Sequence, residues 1–131
     1  MDMFAQASQQ LTVTSSDWTQ LKAAAVNGQL RLEPGTAEKA AGLCTDLIEK
    51  LAGHIRDAHN LVMQSGMGDC LIGNQLSKKF NDKATGESNS IVSVLQQHQD
   101  VLRQMADTYL EAGHAFTAQE EANAAALKGG M

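Results

Sequence analysis

The chain has 131 residues, a formal net charge of -5, one proline and only 4 % aromatic residues. That length sets one domain, and that composition favours helix over a β-sandwich or a nucleotide-binding α/β sheet. The mild acidity gives no general attraction for nucleic acid or anionic membrane, and no apolar run approaches the ~20 residues of a membrane span.

Residues 1–10 lack the charged start and apolar core of a secretory signal. Residues 1–15 show no sustained period, with Phe4 and the Leu11-Thr12-Val13 run as weak apolar anchors, and read as a mobile or loosely docked arm. Ser15 or Ser16 is the expected N-cap of a short helix over residues 17–27, which carries Trp18, Leu21 and Ala25 and stops at Gly28. Residues 29–33 alternate, with Leu30 and Leu32 on one side, and form an extended connector ending at Pro34.

Thr36 is the expected N-cap of a long helix over residues 36–65, ~45 Å at 1.5 Å per residue. One row runs Ala37, Cys44, Leu51 and Ala58; the second includes Leu47, Ile48, Ile55, Leu61 and Val62. Ala37, Ala40, Ala41 and Gly42 at its start permit close approach of a neighbour. Gly66, Gly68 and Gly73 mark the main break, too short to be a linker between domains. Helical period resumes at Leu76, Phe80 and Ala84 and is interrupted again over residues 83–89.

From Ile91 the period is strongest. Leu95, Leu102, Tyr109 and Phe116 recur every seventh residue; Ile91, His98, Met105 and Ala112 form a second row, flanked by Val94 and Val101. Gln96, Gln97, Gln99, Arg103, Gln104, Asp107 and Glu111 make the opposite, solvated face. This helix runs to about Ala126, and residues 129–131 are a frayed tail.

Two long helices joined by a short glycine-rich turn lie antiparallel. The predicted fold is therefore all-α: a long antiparallel helical hairpin spanning residues 16–128 as one domain, with its turn near residues 66–73 and a short N-terminal helix packed on it. A bare hairpin leaves half of each apolar stripe wet, so a helical partner is expected, in a homodimer or a heterodimer. Leu51, Ile55, Ile91, Leu95, His98, Leu102, Met105 and Tyr109 are the stripe for that core and interface.

An Ala-rich helix–turn–helix chain of this size without a signal peptide resembles the WXG-type proteins of type VII (ESX) secretion in actinobacteria and related bacteria. The likeness covers roughly residues 32–123. It is closest to the secretion-associated branch, whose second helix ends in a stretch similar to residues 105–116, Met-Ala-Asp-Thr-Tyr-Leu-Glu-Ala-Gly-His-Ala-Phe. The resemblance implies export in the folded state as a helical dimer without a cleavable signal peptide, by pairing with a larger type VII substrate or engaging a secretion ATPase. It also implies a C-terminal signal of an aromatic followed four residues later by an acid. Tyr109 meets Gly113 at that spacing, whereas Phe116 meets Glu120, so the signal is carried with Phe in place of Tyr. The turn has Ser65-Gly66-Met67-Gly68-Asp69 where the family has Trp-x-Gly, which leaves room for an accessory or chaperone role. A cytoplasmic helical adaptor or regulator unrelated to secretion is the alternative.

Nothing titratable is clustered, so no enzyme activity and no cofactor are expected. His54 and His59 are five apart and diverge around a helix, whereas a shared ligand face needs a spacing of three or four. His98 reads as a core histidine on an apolar row, and His114 has no ligand partner. The glycines between Gly66 and Gly73 serve a turn, since no Gly-Lys-Ser/Thr follows them. Lys78, Lys79 and Lys83, diluted by Asp82, are a solvated face rather than a phosphate-binding stripe. Cys44 lies ~30 Å along the helix from the turn that holds Cys70. A disulfide needs Cα atoms within ~7 Å, so no intrachain bridge is expected.

Overall fold

The computed structural model describes residues 3–63, 75, 78–79, 83 and 90–129. The expected turn at residues 66–73, Cys70, and the resumed period at Leu76, Phe80 and Ala84 lie outside the described residues. The described chain is all-helical, with α1 over Met3–Val26, α2 over Pro34–Met63 and α3 over Ile91–Gly129. No described helix is long and apolar enough to cross a membrane.

α1 corrects two expectations at once. Residues 3–15 are not an arm, and the helix does not start at Ser15 or Ser16: Met3–Val26 is one helix of 24 residues. Phe4, Leu11, Trp18 and Ala25 recur every seventh residue on it, and Leu11 and Ala25 are buried. Ser15 and Thr19, helix-interior residues, turn their hydroxyls to neighbouring groups: Ser15 Oγ to Gln104, and Thr19 Oγ1 back to the Ser15 carbonyl.

Gly28 ends α1 as its sequence position implies. It takes φ +79°, a left-handed conformation that side chains resist. Gly28 N–H then reaches the Ala25 carbonyl at 3.1 Å and Gln29 N–H the Ala24 carbonyl at 2.8 Å, the paired bonds of a Schellman cap.

α2 begins two residues earlier than expected, and its cap is Glu33 rather than Thr36. The Glu33 carboxylate accepts from the backbone N–H groups of Gly35 (3.0 Å) and Thr36 (2.9 Å) and from the Thr36 hydroxyl (3.1 Å). Pro34 occupies the first helical position, where its fixed φ suits the helix and its missing N–H costs nothing. α3 starts under a serine cap: buried Ser90 accepts from Ser93 N–H through Oγ at 3.2 Å. It continues helical through Gly129, into the residues expected to fray.

α3 is the centre, and α1 and α2 both pack along it with next to no contact between themselves. α2 runs antiparallel to α3: Ile48 lies opposite Gln99 and Ala37 opposite Gly113. α1 runs parallel to α3, matching Ser8 with Gln97, Ser15 with Gln104 and Lys22 with Asp107. The small residues at the start of α2 do permit close approach, because Ala37 and Ala41 are buried while Gly42 is exposed. A Cβ on Gly113 would stand 3.0 Å from the Ala37 Cβ. The connector fastens the same end, with Leu32 N–H donating to the Ala112 carbonyl at 3.0 Å.

Gly113→Leu should therefore cost about 1–3 kcal/mol by overpacking the α2–α3 contact. Gly42→Ala, whose new Cβ meets nothing within 4 Å, should gain up to ~1 kcal/mol from helix propensity. Urea denaturation of both variants checks the pair; equal effects would refute the close approach.

Glu33 supplies a pH-dependent test. The hydrogen bonds from Gly35 and Thr36 to its carboxylate hold its pKa below the ordinary 4.5. A depressed folded pKa contributes stability that is present above the unfolded value and is lost as pH falls through the folded one. Glu33→Gln should lower the melting temperature at pH 7, and the gap from the wild type should shrink as pH falls through the depressed folded pKa. A gap independent of pH would assign the effect to packing.

Candidate functional site

At ~100° per residue, positions on α3 sort into three strips. Taking Leu102 as reference, Val101 lies ~100° to one side, and α1 covers that side. There buried Leu11 packs on Val94 and Val101, with Phe4, Ala7, Trp18 and Met105 around them. Gln99 lies ~60° to the other side, under α2, where its Nε2 donates to the Ile48 carbonyl at 3.1 Å. Met105 and His98 fall between, His98 on neither interface and Met105 at the edge of the α1 contact. Because α1 and α2 do not close over them, that middle strip is the floor of a groove.

The groove holds a volume of about 490 Å³ and is almost wholly apolar. Its floor is Leu95, His98, Leu102 and Met105, with Leu47 and Leu51 as the α2 wall and Leu11 and Thr14 among the α1 residues opposite. Leu47 is 43 % exposed, and Leu43, one helical turn along the same face, is 70 % exposed. Near the other side, Trp18 and Tyr109 meet edge to face with ring centroids 5.6 Å apart.

The stripe read from the sequence divides between core and groove. Of its eight residues only Leu102 is fully buried; Leu51, Ile55, Leu95, Met105 and Tyr109 are half-buried. Ile91 is 38 % exposed at the start of α3, so it is not a core residue. His98 corrects its reading as a core histidine, since it stands exposed on the groove floor. Tyr109 belongs to the α1 contact through Trp18.

The larger correction concerns the face assigned to solvent. Gln99 is buried on α2, Gln97 Nε2 donates to Ser8 Oγ at 2.9 Å, and Gln104 bonds both Ser15 (3.0 Å) and Thr19 (3.2 Å). A helix flanked on two sides buries a wider arc than a heptad row, and its polar members then find partners rather than water. Thr108, outside the predicted stripe, is fully buried; its hydroxyl donates to its own helix at the Gln104 carbonyl, 2.7 Å away. Its seven-residue spacing from Val94 and Val101 is the signal that finds it.

Phe116 and Glu120 both line a second cavity, with Leu30, Arg31, Gln119 and Asn123. Phe116 is half-buried there, Glu120 is exposed, and every residue from 117 to 129 is exposed. Cys44 is buried as a free thiol, and desolvation pushes its pKa up, which makes it a poor nucleophile. His54, His59 and His114 are exposed, and among the described residues no three His, Cys, Asp or Glu side chains come together.

Comparison of the chain with family models, curated proteins and solved structures returned no match.

The division between core and groove predicts two different penalties. Leu102→Asp should cost several kcal/mol by burying an unpaired charge. His98→Asp, on the exposed floor, should stay within about half a kcal/mol of wild type, as a surface change does. Equal losses in thermal or urea melts would place His98 in the core after all.

Proposed function

We propose that this chain is a non-enzymatic, helix-pairing protein of type VII (ESX) secretion, an exported substrate or the small helical partner of one. The observation that carries the pairing half is the open groove over α3. Its apolar floor runs from Leu95 to Met105, ~15 Å along the axis. An amphipathic helix from another helical protein suits that shape, because apolar anchors spaced i, i+3 or i+4 and i+7 fit a groove three turns long. Burial of Leu47, Leu51, Leu95 and Met105 supplies the affinity, at roughly 25 cal/mol per Å² of apolar surface.

Export rests on the resemblance and on Phe116 with Glu120. Four residues apart on α3, they share one face and line one cavity. A secretion ATPase or a partner reads such a pair as one epitope: Phe116 gives apolar contact and Glu120 a charge-assisted hydrogen bond.

Sedimentation of the chain alone, and of the chain co-expressed with helical hairpins encoded beside it, tests pairing. A dimer or a heterodimer should form, and His98→Asp should abolish it while leaving helicity and melting unchanged. A strictly monomeric wild type that binds none of them would overturn the pairing. In a type VII-competent host, Glu120→Ala should stop secretion and Glu121→Ala, ~100° around the helix, should spare it. Equal export of both variants would remove the signal, and a wild type that pairs without leaving the cell would establish the cytoplasmic adaptor instead.

A further inference from the structure

We infer that α1 is a reversibly docked cover, which opens from α3 as a unit while the α2–α3 pair stays standing, and so widens the apolar floor of the groove. Its purpose rests on the helix-docking reading; the opening itself does not.

What holds α1 is a narrow apolar patch inside a polar seam. Only Leu11 and Ala25 are buried along its 24 residues. Phe4, Ala7 and Trp18 pack half-buried beside them, and the polar contacts recur every seventh residue of α1: Ser8 with Gln97, Ser15 with Gln104, and Lys22 with Asp107 at 3.7 Å. Water replaces such hydrogen bonds at small net cost, and the ion pair is half exposed on both sides. The seam is also incomplete. Gln97 Oε1 is buried with no protein hydrogen-bond partner among the described residues, beside a cavity of about 180 Å³ lined by Leu11, Thr12, Ser15 and Asp100.

Among the described residues α1 has next to no contact with α2, so opening there breaks a single interface. The connector remains pinned at its far end by Leu32 N–H on the Ala112 carbonyl, and Glu33 caps α2 with groups local to α2. The hinge is therefore the short stretch between Gly28 and Leu32.

What α1 covers adjoins what the groove already shows. Val94 and Val101 precede Leu95 and Leu102 directly, so their strip lies beside the groove floor, with Met105 shared between the two. With α1 closed, one strip is open, enough for one helix. With α1 open, two adjacent strips are free, enough for a pair of helices.

Hydrogen exchange read by mass spectrometry on the intact chain tests this. Amides of residues 9–25 should exchange together, on the order of 100-fold faster than those of residues 94–108. Ser8→Ala with Gln97→Leu, which replaces a polar pair and the unpaired oxygen with apolar groups, should slow α1 exchange. Leu11→Asp should speed it while residues 37–58 keep their protection, and should shift the emission of Trp18, the single tryptophan. One common rate for α1 and α3, or loss of α2–α3 protection in Leu11→Asp, would overturn the inference whatever the groove binds. An opening α1 in a chain that pairs with nothing would uphold it and overturn the proposed function instead.

Discussion

The structure depends on one helix serving two neighbours that do not meet. α3 receives α1 on the Val94–Val101 side and α2 on the Gln99–Gly113 side, and no other described contact between elements is substantial. A helix used this way must satisfy a broad arc of its surface. The described helices leave a gap between α1 and α2, and it falls on the most regular apolar rows of the sequence. The groove is thus a consequence of two neighbours on one helix, since an apolar stripe this wide exceeds what α1 and α2 cover.

The two flanking interfaces are built from different materials. α2 approaches through small residues, with Ala37, Ala41 and Cys44 buried against α3 and Gly113 allowing the backbones to close. Such contact is rich in dispersion and tolerates no added volume. α1 approaches through one apolar cluster, Leu11 on Val94 and Val101 with Phe4, Ala7 and Trp18 beside it, flanked by serine, threonine and glutamine whose hydrogen bonds fix register. Register on α1 is therefore specified by hydrogen bonds, and register on α2 is fixed by shape.

This contrast explains what the sequence discloses and what it conceals. The heptad rows of α3, the row Ala37, Cys44, Leu51 and Ala58 on α2, and the glycine that ends α1 are all legible, because burial and left-handed geometry leave strong residue signatures. Continuity of α1 through residues 3–15 is harder to see. Its row of Phe4, Leu11, Trp18 and Ala25 is one residue wide, diluted by Thr12, Thr14, Ser15 and Ser16, which lower helix propensity and mimic caps. The Glu33 cap is hidden because Thr36 three residues later offers a more familiar capping side chain. Most of the candidate site is legible as a stripe, but its division is not. Periodicity says that Leu95, His98, Leu102 and Met105 share a face, and only the placement of the neighbours says which of them are wet.

The polar residues of α3 carry the sharper lesson. Gln97, Gln99 and Gln104 look like solvent-facing spacers, yet each is bonded to a neighbouring helix. Glutamine is long enough to reach a backbone carbonyl or a serine across an interface, and an unpaired partner there would cost a full desolvation penalty. The same chemistry that orients α1 and α2 on α3 keeps these glutamines off the groove floor, where any polar group would spoil the apolar surface. His98 is the one exception, and it stands exposed, so it keeps its hydration while its ring edge adds to the apolar lining. Segregation of this kind needs no special residue at the groove. It follows from placing the hydrogen-bonding side chains on the two interfaces that are filled and the apolar ones on the interface that is not.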